Sequence, residues 1–268
     1  MRLWSRILAV SLVAAGVAVL VIPTPRQVDA SAAAQPFRSG DAAEAPSGAR
    51  VLPTATSRRT LQGDFESYAA TVVPEAIDVY VAPDPDSGVR MRLSNKTEHG
   101  QPQTLLVVKE LLVDDATWYE VMLPVRPNGS TGWVRGSDVR VSGLAYAVQV
   151  SLTGKQLEVF RQGQLVSSYP VGIGRERYPT PGGTFYMMEL LRPPDPKGPY
   201  GTRTYVLNGF SAVLKTFNGG AGSLGIHGTN EPGTVGADVS HGCIRMNNAD
   251  IEAVAAILPL GTPVRILT

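Results

Sequence analysis

Two stretches in the last sixth of the chain concentrate reactive side chains: Ile226-His227-Gly228-Thr229-Asn230-Glu231-Pro232 and Ser240-His241-Gly242-Cys243-Ile244-Arg245-Met246. Cys243 is the single cysteine among 268 residues, and His227 and His241, two of the three histidines, flank it. A thiol attacks acyl carbon only as its thiolate, and an imidazole within reach takes the proton and lowers the free-thiol pKa of about 8.5. These residue types point to thiol acyl transfer, with a substantially lowered Cys243 pKa as the expectation. Gly242 permits close backbone approach, and amides around Gly242 and Cys243 can aim donors at a developing oxyanion.

Two other chemistries use the same residues. His227, His241 and Cys243 are three plausible zinc ligands, but the chain has no second cysteine and no carboxylate at recognisable zinc spacing, so no metal is expected. A buried, inert thiol is the plainest alternative. Two histidines, two glycines and a cysteine packed into polar loops argue against it.

The remaining pattern describes what must hold these residues. From Tyr146 the strands lengthen: Ala147 to Leu152 alternates, and Leu157 to Phe160 followed by Leu165 to Val171 reads as a hairpin around Gln162-Gly163. Ile251, Val254, Ala255 and Leu258 fall on one helical face, with Asn248 as the expected cap and Pro259 as the stop. A final strand runs from Val264 to Leu267. Earlier, Ile77 to Val81, Thr104 to Val108, Trp118 to Leu123 and Thr131 to Val134 are short β-type runs punctuated by Asp84-Pro85-Asp86, Pro127-Asn128-Gly129-Ser130 and Gly136-Ser137-Asp138. The expected fold is mainly β: a small barrel over residues 72–142, then a sandwich-like domain over 145–268 with one or two helices.

Both halves resemble known families. Val79-Tyr80 with Pro83, Trp118-Tyr119-Glu120-Val121 and Gly132-Trp133-Val134 resemble bacterial SH3-like domains, which implies a unit that contacts wall polymer or spaces a catalytic unit, with Trp118 and Trp133 as core residues. The His-Gly-Thr element, the Ser-His-Gly-Cys element with its following hydrophobic residue and arginine, Tyr169-Pro170-Val171-Gly172-Ile173-Gly174, Thr180-Pro181-Gly182-Gly183-Thr184-Phe185 and Asn248-Ala249-Asp250 resemble the L,D-transpeptidase catalytic domain of the YkuD kind.

That second resemblance implies a peptidoglycan-cross-linking enzyme without a cofactor. Cys243 is then the nucleophile and His227 the general acid and base, oriented by the carbonyl of Gly228 or Thr229, while backbone at His241, Gly242 and Cys243 forms the oxyanion hole. Arg245 holds the loop or the substrate carboxylate, Thr229 and Ser240 serve as loop hydrogen-bonders, and which of Asn247 and Asn248 matches the family's asparagine depends on where the helix starts. The implied partners are peptidoglycan stem peptides, with carbapenem-type β-lactams as inhibitors. A hydrolase using water as acceptor shares every one of these residues, and a wall-binding protein with an idle catalytic domain is the rival from another class. The third histidine, His99, falls in the other domain, and the earlier unit is expected to take no part in bond making.

Charge and the N-terminus set the compartment. With 24 Lys plus Arg against 23 Asp plus Glu, the formal net charge of +1 gives no field that would draw nucleic acid. Arg2 and Arg6 precede an apolar run from Ile7 to Ile22 and small residues at Val28-Asp29-Ala30, which reads as an export signal over residues 1–30. An uncleaved anchor is the alternative, but the run is shorter than the roughly 20 apolar residues of a span. The mature protein is expected in the cell wall or periplasmic space with no membrane partner. Residues 31–71, rich in Ala, Ser, Thr, Gly and Arg, read as a flexible linker.

Overall fold

A computed structural model of the chain describes residues 67–216 and 220–268. The expected export signal and the linker up to residue 66 lie outside the described residues. Seventeen strands and one α-helix make the described fold mainly β.

The first seven strands are β1 (Ser67–Val72), β2 (Ala76–Tyr80), β3 (Val89–Ser94), β4 (Thr104–Val113), β5 (Ala116–Met122), β6 (Thr131–Arg135) and β7 (Val139–Leu144). They form one sheet in the order β3-β2-β6-β5-β4-β1-β7. Strand β1 corrects the expected linker boundary at residue 71, because it runs between β4 and β7. Its Ala69 and Ala70 are almost fully buried, and a side chain on Gly261 would strike the Ala69 Cβ, so the strand is built from small residues that resemble tether composition.

The second half contributes β8 (Tyr146–Ser151), β9 (Gln156–Arg161), β10 (Gln164–Pro170), β11 (Ile173–Gly174), β12 (Gly183–Leu191), β13 (Thr204–Phe210), β14 (Ser223–His227), β15 (Asp238–Ser240), β16 (Ile244–Arg245), α1 (Asn248–Ala255) and β17 (Pro263–Leu267). Eight of these strands form a sheet ordered β10-β9-β8-β17-β12-β13-β14-β16, and β11 pairs with β15 in a small parallel ladder. The β9–β10 hairpin turns where the sequence predicts it. Gln162 and Gly163 adopt φ of 49° and 79°, the left-handed pair that matches strand twist.

Helix α1 buries Ile251 and Val254 and stops before Pro259. Its N-cap position is occupied by Asn247, not by Asn248, and the Asn247 side chain bonds the Asp250 carboxylate at 3.1 Å. Asn248 is thus released for another task.

Strand β12 belongs to two cores at once because alternate residues point to opposite faces. Phe185 and Met187 enter the core of the second sheet, whereas Tyr186 and Met188 pack among the apolar residues of the first. Polar side chains seal the same seam. Gln101 gives its Nε2–H to the Leu190 carbonyl at 2.7 Å and accepts the Leu190 N–H at 3.1 Å. Asn128 does the same for both backbone groups of Phe210, each at 2.9 Å. Arg126 donates to the carbonyls of Ser211, Leu214 and Ala221, gripping both sides of the segment between β13 and β14.

Tyr186 is fully buried, and its Oη has no hydrogen-bond partner among the described residues. The ring therefore stabilises the seam by apolar burial while the hydroxyl works against it. In chemical denaturation, Tyr186→Ala should lose about 3–5 kcal/mol. Tyr186→Phe should be neutral or stabilising. A large loss in the Phe variant would show that the hydroxyl is bonded.

Candidate active site

The site is assembled by strand register. Strands β14 and β16 run parallel with Ile226 opposite Ile244 and His227 opposite Arg245. Just ahead of these pairs, Gly225 of β14 lies close to Cys243, the residue that precedes β16. Because the side-chain period is two, Cys243, Arg245 and His227 share a face while Ile226 and Ile244 enter the core, both essentially unexposed. His227 is thereby the diagonal neighbour of Cys243, a spacing that side chains can bridge.

Glycine at 225 relieves crowding against β13 more than against Cys243. A Cβ there would lie 4.0 Å from the Cys243 Sγ and only 3.1 Å from the Tyr205 carbonyl oxygen. The Gly225 backbone N–H supports Sγ, the second largest influence on the thiol after burial. A glycine between Leu224 and Ile226 in an apolar strand is a sequence signal for such a close approach.

His227 is buried, with 4% of its surface exposed. Its Nδ1 lies 2.6 Å from the Gly228 carbonyl oxygen, which can only accept, so Nδ1 carries the hydrogen and Nε2 is the ring's acceptor. Of the two orienting carbonyls expected, Gly228 is the one engaged. Tyr200 packs its ring against the imidazole, centroids 5.0 Å apart. His227 and Cys243 together line a cleft of about 670 Å³ and also a second pocket of about 90 Å³ that Arg245, His241, Ser240 and Tyr200 close.

The loops around this pair are tied by hydroxyls and one amide. Ser240 Oγ donates to the Cys243 carbonyl and accepts the Gly242 N–H at 3.0 Å. The Gly242 amide is consequently committed to the loop. Gly242 also holds a φ of +117°, a conformation that favours glycine. Thr180 Oγ1 donates to the Gly242 carbonyl at 3.0 Å and accepts the Gly174 N–H at 2.9 Å. The Asn248 side-chain oxygen accepts the N–H groups of Thr229 at 3.1 Å and Thr202 at 3.3 Å, so it fastens the loop behind His227. A Cβ on Gly228 would collide with that oxygen. Thr229 Oγ1 accepts the Glu231 N–H at 3.1 Å.

His241 is oriented differently from His227. Its Nε2 accepts from the Arg175 guanidinium, since arginine can only donate, and its ring lies 4.9 Å from that of Tyr178. Arg245 pairs with Glu231 at 3.0 Å, while its Nε is buried without a partner among the described residues. Among the described residues no cluster of three His, Cys, Asp or Glu side chains is arranged to hold a metal ion.

Electrostatics correct one expectation. The Cys243 thiol is held above its ordinary value, because burial outweighs the Gly225 N–H and the Arg245 cation. His227 is pushed down to about 4, first by burial and further by Arg245, against the opposing Gly228 hydrogen bond. At neutral pH the site therefore holds a thiol beside a neutral imidazole, not a preformed ion pair. His241 is also lowered, by partial desolvation and then by Arg175 and Arg245.

Residues 145–266 match the family model for the L,D-transpeptidase catalytic domain. YkuD of Bacillus licheniformis, a provisionally named L,D-transpeptidase, is 32% identical over 166 residues, covering 59% of this chain and 92% of that protein. Its namesake in Bacillus subtilis (strain 168) is 32% identical over 151 residues, covering 54% of this chain and 84% of that protein. Among solved structures, a substituted L,D-transpeptidase of Enterococcus faecium aligns at 20% identity with a TM-score of 0.36, over 46% of this chain and half (50%) of that one. An L,D-transpeptidase in complex with imipenem aligns at 18% identity with a TM-score of 0.38, over 57% and 91%.

The protonation states have a measurable consequence for stability. Below pH 6.5 the unfolded His227 takes up a proton that the buried ring refuses until about pH 4. Stability should therefore fall as pH drops through that window, by about 3 kcal/mol at most. His227→Gln should flatten this part of the profile. Alkylation of the unliganded wild type should rise only above the ordinary thiol range near 8.5. A reactive limb near pH 6 would contradict the neutral resting pair.

Proposed function

The chain belongs to the L,D-transpeptidase catalytic-domain family, and on that premise we propose that it is an exported cysteine acyltransferase that cross-links third residues of peptidoglycan stem peptides. The observation that carries this reading is the shared face of Cys243 and His227 beneath one cleft, with the imidazole's Nδ1–H pinned on Gly228 and its Nε2 left as acceptor.

In the reaction, a tetrapeptide stem enters the cleft and its desolvated third carbonyl approaches Sγ. As Sγ forms its bond to the carbonyl carbon, the thiol proton passes to His227 Nε2. Coupling the two events avoids the cost of a buried thiolate standing alone. The oxyanion is met by backbone N–H groups of the His241–Cys243 turn; the Gly242 N–H is bonded to Ser240, which leaves the Cys243 N–H as a donor. Collapse breaks the carbon–nitrogen bond, His227 returns the proton to the departing D-alanine amine, and a thioester remains on Cys243. The side-chain amine of a neighbouring stem then attacks the thioester, giving its proton to His227 as the carbon–sulfur bond breaks and the thiol is restored.

The remaining expectations join this reading as proposals. The basic, apolar N-terminus supports export to the wall or periplasmic space, followed by a linker and a catalytic unit from about residue 145. The strand pattern, with Tyr80, Trp118 and Trp133 packed together, supports an SH3-like unit over residues 72–142. The same thiol suits the strained amide of a carbapenem-type β-lactam.

Incubating the purified protein with a tetrapeptide-containing muropeptide and weighing the products tests the function. A cross-linked dimer with release of one D-alanine is the expected result. A tripeptide monomer alone would replace transfer by hydrolysis, and an unchanged substrate would remove the enzymatic reading.

A further inference from the structure

Part of the lining of the large cleft comes from a loop of the first sheet. Glu98 and His99, in the connection between β3 and β4, line the same cavity as His227 and Cys243. That connection is held firmly. Gly100 closes a turn onto the Thr97 carbonyl at 3.0 Å, Thr97 bonds back to Gln101 at 2.9 Å, and Gln101 clamps Leu190 in β12.

The third histidine is tied down by a feature of the catalytic sheet. Met187 pairs with Leu207 but Glu189 pairs with Val206, so β12 carries one extra residue at this point. A bulge re-aims the side chains that follow it. Strict alternation would send Glu189 into the apolar core with Phe185 and Met187. Instead Leu190 packs there, and Glu189 meets the β3–β4 connection. The Glu189 side chain is only 2% exposed, and a carboxylate so buried is costly without partners. Both of its oxygens are served by His99, through the backbone N–H at 3.3 Å and through Nδ1 at 2.9 Å. With Nδ1 committed, Nε2 is the ring's remaining polar atom, on a side chain that is half exposed, at 51%, and borders the cleft.

We propose that His99, positioned by Glu189, is a specificity-determining residue of the acyl-donor cleft, contacting a peptide donor at a residue beyond the one that bears the scissile carbonyl. The inference rests on the acyl-transfer reading above. A cavity of about 670 Å³ falls within the range of whole-ligand sites and exceeds what a single residue fills. The first sheet is then part of the substrate site and not only a spacer, and a donor must reach across the seam to use its full binding energy. Glu189 acts through His99 and is a positioning residue.

The test compares two donors: a complete tetrapeptide stem, and a short donor that keeps only the scissile residue, blocked at its amine, and the leaving D-alanine. Wild-type enzyme should favour the long donor in kcat/KM. His99→Gln should reduce that preference about three- to tenfold, chiefly through a higher KM for the long donor, and Glu189→Gln should move it the same way. Equal losses on both donors, or an effect confined to kcat, would overturn the proposal, since damage to the fold or chemistry does not depend on donor length. Calorimetric binding of both peptides to Cys243→Ala protein reads the same preference without turnover. Absent turnover with preserved preference for the long donor sinks the acyl-transfer function and leaves the role of His99 standing. Equal binding of the two donors overturns the role of His99 whatever the enzyme does.

Discussion

Everything at this site depends on the register of two short parallel strands. Pairing Ile226 with Ile244 buries both isoleucines and turns Gly225, His227, Cys243 and Arg245 to the opposite face. A slip of one residue would send Cys243 into the core and Ile244 into the cleft. Strand β16 is only two residues long, so the ladder alone cannot hold that register. Side chains complete it: Ser240 closes the turn before Cys243 on itself, Thr180 ties that turn to β11, and Asn248 holds the loop behind His227. Burial of the isoleucines sets the register, and these hydrogen bonds keep it.

The same burial governs the chemistry. A buried thiol and a buried imidazole both favour their neutral forms, and the Arg245 cation favours the thiolate while disfavouring the imidazolium. Its two effects partly cancel for a proton moving from Sγ to Nε2. On the proposed mechanism the proton moves when an electrophile arrives, and no reactive thiolate is stored beforehand.

Much of this was legible in the sequence, for identifiable reasons. The nucleophile loop and the His-Gly-Thr turn are local motifs, and the β9–β10 hairpin is announced by Gln162-Gly163, so short-range signals suffice. Long-range relations were not legible. The small residues of β1 read as linker because what makes them a central strand is the close approach of Gly261. Asn248 read as a helix cap because its partners, Thr202 and Thr229, are remote in sequence. His99 read as a residue of another domain because the bulge in β12 that turns Glu189 toward it leaves no mark in the pattern of apolar residues. The lowered thiol pKa expected from a neighbouring histidine failed because burial, a property of the packed fold, outweighs pairing.

The central claim is that His227, presented diagonally to Cys243 by the strand register, removes the thiol proton. Rapid-mixing measurement of Cys243 acylation by a carbapenem, with the adduct weighed as intact protein, tests it most directly. The account predicts that Cys243→Ala forms no adduct, that His227→Gln slows acylation by about 10²–10⁴-fold, and that His241→Gln, whose Nε2 is already occupied by Arg175, stays within about tenfold of wild type. In proteins shown to be folded, a larger loss in His241→Gln than in His227→Gln would contradict it.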